Sequence, residues 1–247
     1  MNRFAIFACL LIWAWSLSHC RSDAVDPCAD DGIAETATAI LPLGDSRVEG
    51  NRPNYESYRY ELWQRMIQTN SSVDFIGRRQ DEAAYPIIGG RCFDNDHEGY
   101  GGATSGELLE IVRGFGADVD PDIVLLGIGG NDLLQGVTNV ETIGDHISSI
   151  ISLLRQRNDS VVIILEQIAP GTPSIMTVEL TQRFDAFNAS VPALADSLSS
   201  DASPIEVVDM ATDWKVEYFA DDVHYNEAGA QEAANRYFSA TREFLGR

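Results

Sequence analysis

Five short apolar runs, each followed by a stretch of helical spacing, constrain this chain more than any other feature. The runs are Thr38–Leu43, Val73–Ile76, Asp122–Leu126, Val161–Leu165 and Ile205–Val208. The fourth, VVIIL, is apolar at every position rather than at alternate ones, as in a strand buried on both faces. Between the runs, Tyr58–Gln68 carries Tyr58, Leu62, Met66 and Ile67 at helical spacing. Leu108–Phe115, Val140–Leu154, Val178–Leu198 and Glu227–Phe244 read as further helices, and Pro192 is expected to kink or divide the segment that contains it. Strands alternating with helices of this length make βαβ units and a parallel sheet. Right-handed crossovers then place helices on both faces. The expected class is α/β, a three-layer α/β/α fold around a central five-stranded parallel sheet. In such sheets ligands bind outside the carboxyl ends of the strands.

The residues just beyond those ends carry chemistry. Gly44-Asp45-Ser46 follows the first run. Gly44 permits tight backbone geometry, Asp45 can hold the turn, and Ser46 is placed to meet a substrate. Near the other end of the chain stands Asp221-Asp222-Val223-His224. A carboxylate three residues before a histidine can orient the imidazole and stabilise its charged form. Asp221 is the expected partner, with Asp222 as competitor. Serine, histidine and carboxylate together turn a weak hydroxyl into an acyl-transfer nucleophile. Gly102-Ala103-Thr104-Ser105 closes a long polar loop, residues 77–103, and opens a helix that Thr104 or Ser105 caps. Backbone N–H groups at such a start can face an anion. Gly129-Gly130-Asn131-Asp132 follows the third run, and an asparagine amide there can donate to an oxyanion.

The four blocks, in this order, resemble the SGNH (GDSL) hydrolase superfamily, and the likeness spans nearly the whole chain after its first segment. It implies a flavodoxin-like fold and esterase chemistry with no metal or other cofactor. It carries Ser46, Asp221 and His224 over as catalytic residues. Ser46, Gly102 and Asn131 become the oxyanion hole. Tyr58-Arg59, Leu62-Trp63, Val73–Gly77 and Asp96–Gly99 are similar to carbohydrate esterase family 3, whose members are secreted deacetylases of acetylated xylan. Two positions depart from that branch. Arg47 follows the nucleophile where a smaller or apolar residue is common, and Ala103 stands where tryptophan is frequent. Arg47 is read as a substrate contact for a carboxylate, or as an ion-pair partner of Glu49. The Gly-x-Ser-x-Gly elbow of α/β-hydrolases is absent.

Charge and targeting signals narrow the setting. The formal net charge is −21, and Lys215 is the one lysine among 17 basic residues. An acidic surface repels phosphate backbones and anionic lipid, so nucleic acid is not an expected partner. Residues 1–24 read as a secretory signal: Met1-Asn2-Arg3, then an apolar Phe4–Trp15 too short for a comfortable transmembrane helix, then small residues at Ser16, Ser18, Ser22 and Ala24. A lipoprotein signal ending at Cys20 would place His19 where a small residue belongs. Cleavage after Ala24 removes Cys9 and Cys20 and leaves Cys28 and Cys92 as a disulfide, which export permits. Residues 25–37 then form an acidic tail and 38–247 the SGNH hydrolase domain. Localisation is expected to be extracellular or periplasmic, with no stable membrane insertion after signal removal. The loop Asp94–Gly99 imitates the start of a calcium loop, but Ser105 holds the twelfth position instead of glutamate. It is read as a solvated acidic loop. His146 is assigned no chemistry.

The expected function is a secreted serine esterase acting on small acyl esters, acetyl foremost, of a small-molecule or carbohydrate substrate. Aryl esters, short-chain lipid esters and thioesters are the alternative substrates. A non-catalytic binding module on the same scaffold is the alternative from another functional class.

Overall fold

In the computed structural model, residue 28 and residues 36–117 and 119–246 are described. The expected signal, 1–24, and most of the expected acidic tail lie outside the described residues. The strands are β1 (Thr38–Gly44), β2 (Val73–Phe75), β3 (Glu98–Gly99), β4 (Ile123–Gly127), β5 (Val162–Gln167) and β6 (Ile205–Asp209). Their order is β2-β1-β4-β5-β6, every pair is parallel, and the two-residue β3 adds to β1 at its carboxyl end. The five expected strands are all present. The sixth, β3, was hidden in the long loop because a two-residue strand has no periodicity to read.

The helices are α1 (Ser46–Glu49), α2 (Arg59–Gln68), α3 (Ser105–Arg113), α4 (Gly130–Gln135), α5 (Val140–Arg155), α6 (Val178–Leu198) and α7 (Glu227–Thr241). Successive strand residues point to opposite faces. Leu41, Val124, Leu126 and Ile163 pack with Leu108, Ile147 and Phe187 from α3, α5 and α6. Ile40, Leu125, Ile164 and Val208 pack with Leu62, Trp63 and Ala233 from α2 and α7. The sheet is thus covered on both sides, as its apolar strands require.

Of the two outcomes expected at Pro192, division does not occur: α6 runs through it as one helix. A proline frees the carbonyl four residues earlier. Here that carbonyl belongs to Asn188, and it accepts instead from the Gln167 side-chain amide at 2.8 Å. Asn188 also clamps Ile168, accepting from its N–H at 2.7 Å and donating to its carbonyl at 2.9 Å.

Cys28 is bonded to Cys92, tying the N-terminal segment to the long loop. The Asp94–Gly99 segment of that loop is not solvated, contrary to expectation. His97 and Glu98 are 1% and 0% exposed. Asp94 accepts from the Phe75 N–H, Asn95 exchanges hydrogen bonds with Asp81, and Glu98 pairs with Arg78 at 2.9 Å. Arg59, fully buried, donates to the carbonyls of Val48, Glu49 and Asn95 and to Asp81. The acidic residues serve the loop's own cohesion, because burying them demands such partners.

At the centre of the sheet β1 and β4 approach so closely that a Cβ on Gly44 would lie 2.1 Å from the Gly127 carbonyl oxygen. Gly44→Ala should therefore force the two strands apart and cost more than about 2 kcal/mol. Urea denaturation measures this, and a loss within about 0.5 kcal/mol, typical of a harmless surface change, would contradict the tight approach.

Candidate active site

Three strands end at one level. Gly44 of β1 is in register with Gly99 of β3 on one side and with Gly127 of β4 on the other. The chain leaving these glycines reaches Ser46, Gly102 and Asn131 within a few residues. The connection from β1 runs outward to β2, while β4 lies on the other side, so this level is the switch point of the sheet.

Ser46 opens α1 and is half-buried. Asp45 caps that turn, its carboxylate accepting the Arg47 N–H at 3.0 Å. Burial pushes the Asp45 carboxyl up, against the pull of Arg47 and His224 and with a further push from Asp132. His224 Nε2 lies 2.8 Å from Ser46 Oγ, and its Nδ1 lies 2.7 Å from Asp221 Oδ2. The second Asp221 oxygen accepts the N–H groups of Val223 and His224, both at 2.8 Å. Burial alone would raise the Asp221 carboxyl; the Val223 N–H, the His224 ring and the His224 N–H outweigh it and hold it below its ordinary value. Tyr55 stacks on the imidazole, with centroids 3.8 Å apart and planes 11° from parallel.

Asp222, the competitor, is committed elsewhere. It accepts from Thr172 Oγ at 2.7 Å and from Ser174 Oγ, and so holds the loop after β5. The expectation for Arg47 is corrected. Its guanidinium turns inward, only 9% of the residue is exposed, and Glu49 pairs with Arg79 instead. Arg47 Nε donates to the Val223 carbonyl at 2.9 Å, Nη1 to Ala169 at 2.8 Å and Nη2 to Pro170 at 3.3 Å. A side chain spent on three backbone carbonyls does not present its charge to a substrate.

Gly102 is exposed, in a turn with φ +79°, a conformation that favours glycine. Thr104 is the N-cap of α3 and forms a reciprocal capping box with Glu107. Asn131, half-buried in the first turn of α4, donates one amide N–H to the Ala103 carbonyl at 3.0 Å, which docks it beside Gly102. The anion that the start of α3 faces is internal: Asp132 accepts from the Ser105 N–H at 2.8 Å and from Ser105 Oγ at 2.7 Å. His146 Nδ1 sits 2.8 Å from the same hydroxyl. This buried cluster locks α3 to α4, and with them Gly102 to Asn131. Sequence reasoning missed Tyr55, Asp132 and the cluster around His146, because their partners are distant in the chain.

Among the described residues, no helix is long and apolar enough to cross a membrane, and no group of three or more His, Cys, Asp or Glu is arranged to hold a metal.

Fold and site define a carboxylic ester hydrolase of the serine type. The family model for the GDSL-like lipase/acylhydrolase family matches residues 43–232, and the chain belongs to that family. Solved structures agree on the fold. A carbohydrate esterase family 3 protein from Talaromyces cellulolyticus superposes with a TM-score of 0.73 at 24% identity, over 84% of this chain and 97% of that one. A family 3 carbohydrate esterase from Clostridium thermocellum gives 0.68 at 25% identity, over 85% and 97%. An acetyl esterase mutant crystallised with acetate ion gives 0.72 at 24% identity, over 84% and 97%. No curated protein sequence matches.

Glu166, next to the last residue of β5, has its carboxylate beside Gly127 and accepts from Tyr237 Oη at 2.7 Å. Burial pushes its carboxyl from 4.5 to about 7, with Tyr237 and Arg47 pulling the other way. The folded protein thus holds this proton more tightly than the unfolded chain. The associated stability is full below 4.5 and is lost as pH rises through about 7. The stability of the wild type minus that of Glu166→Gln, from denaturant titrations at stepped pH, should fall across that window. A difference that is flat or rises with pH would contradict the assignment.

Proposed function

We propose that the protein is an exported serine esterase that removes small acyl groups, acetyl foremost, from a carbohydrate or other small alcohol. The observation that carries the reading is the unbroken chain from Ser46 Oγ through His224 to Asp221, with contacts of 2.8 and 2.7 Å. Ser46 Oγ attacks the acyl carbonyl and gives its proton to His224 Nε2. Asp221 holds the tautomer and stabilises the imidazolium. The N–H groups of Ser46 and Gly102 and the remaining amide N–H of Asn131 receive the oxyanion. The intermediate collapses to an acyl-serine, and His224 returns the proton to the departing alcohol. Water, deprotonated by His224, then releases the acid. Three of the structural neighbours, two carbohydrate esterases of family 3 and an acetyl esterase, support the acetyl reading. The disulfide between Cys28 and Cys92 supports export, since such bonds persist in oxidising compartments.

A second reading keeps this chemistry and changes the ester. A cavity of about 420 Å³ beside the loop after β5 is lined by Pro170, Met176, Phe184, Trp214 and Phe219, among others. Its apolar wall suits an aryl or short-chain lipid ester.

Rates on acetylated xylan, aryl acetate and longer acyl esters decide between the two. The acetyl reading expects rates that fall with acyl length; a steep rise would overturn it. On the best substrate, Ser46→Ala should lose at least about 10³-fold in kcat. Asp221→Asn should lose about 10²- to 10⁴-fold, and Asp222→Asn less than about tenfold, as for a residue outside the reacting unit. The reverse order for the two aspartates would refute the triad as written.

A further inference from the structure

We infer that Arg47 is the positioning residue that holds the histidine loop against the nucleophile. The inference rests on Ser46 and His224 acting as nucleophile and base. Arg47 is joined to Ser46 by a peptide bond, and its own N–H is fixed by the Asp45 carboxylate. Its guanidinium spans two other segments. Nε donates to the carbonyl of Val223, the residue before His224, while Nη1 and Nη2 donate to Ala169 and Pro170 beyond β5. One side chain therefore joins the turn after β1, the exit of β5 and the loop after β6. Nothing else in the hydrogen-bond network described ties the Val223 carbonyl to the sheet.

Three facts make this more than packing. The guanidinium forms no ion pair within 4.0 Å among the described residues; all its side-chain hydrogen bonds go to neutral carbonyls. A buried cation is tolerated on such terms because each of its three nitrogens finds an acceptor. The face of Tyr225, the residue after His224, lies 5.1 Å from the Arg47 guanidinium carbon, so the loop is gripped on both sides of the histidine. The fork is planar and has five donors in fixed directions, which a lysine cannot reproduce. A shift of His224 by about 1 Å can cost about 10²-fold in rate.

The test compares Arg47→Lys and Arg47→Met with the wild type, using steady-state kinetics on aryl acetate and the rate of Ser46 phosphonylation by a fluorophosphonate. Melting curves give the folded fraction by which each rate is scaled. The account expects kcat to fall about tenfold to 100-fold in both variants, KM to change less than threefold, about the scatter of a non-contacting residue, and phosphonylation to slow in parallel. Millimolar guanidinium should restore part of the rate to Arg47→Met, and sodium should not. A rise in KM at constant kcat would mean substrate contact, and unchanged kcat in the folded fraction would mean packing alone; either overturns the proposal. If Arg47→Met does not fold, Arg47→Lys alone carries the same comparison. A wild type inert toward both the ester and the fluorophosphonate would instead refute the catalytic reading itself.

Discussion

Where a parallel sheet ends, the carbonyls of the departing loops turn inward with no further strand to receive. Each one left unsatisfied in the interior would cost about 1–3 kcal/mol. This fold meets the demand with buried arginines. Arg59 serves Val48, Glu49 and Asn95; Arg47 serves Ala169, Pro170 and Val223. The Arg59 guanidinium reaches into the short turn that carries Ser46, and the Arg47 guanidinium reaches out of it. The loops bearing Ser46 and His224 are thereby fixed to one another through backbone atoms, largely independent of their surface side chains. That arrangement suits a chain whose basic residues are almost entirely arginine.

The glycines at the strand ends are the other half of the arrangement. Gly44, Gly99 and Gly127 lie in register, and the first and last touch where a side chain would not fit. Three loops can therefore leave the sheet side by side. The Ser46 turn, Gly102 and Asn131 are neighbours for that reason, and the Asp132–Ser105 pair keeps the latter two together. The site is a product of sheet register first and of side-chain chemistry second.

Much of this was legible in the sequence. The five buried strands announce themselves by continuous apolar runs, and Ser46, Asp221 and His224 occupy strand-end loops where chemistry is expected. Local contacts were readable as well: Asp221 bonds N–H groups two and three residues away, and Thr104 caps its own helix. Long-range partners were not. Arg47 meets its carbonyls across 122 to 176 residues of chain, and nothing in a local pattern says that an arginine will turn inward. The same holds for the α6 carbonyl freed by Pro192, rescued by Gln167 from β5. One signal was available and unused: Glu166 continues the VVIIL run, and an acid inside a buried strand implies a dedicated partner, here Tyr237.

The central claim is that the fold makes Ser46 a nucleophile through His224. Intact-mass analysis after exposure to a fluorophosphonate, followed by peptide mapping, addresses it without assuming any ester. The account predicts a single adduct, located on Ser46 and lost when His224 is replaced by alanine. No adduct on the folded wild type, or an adduct on another serine, would contradict it.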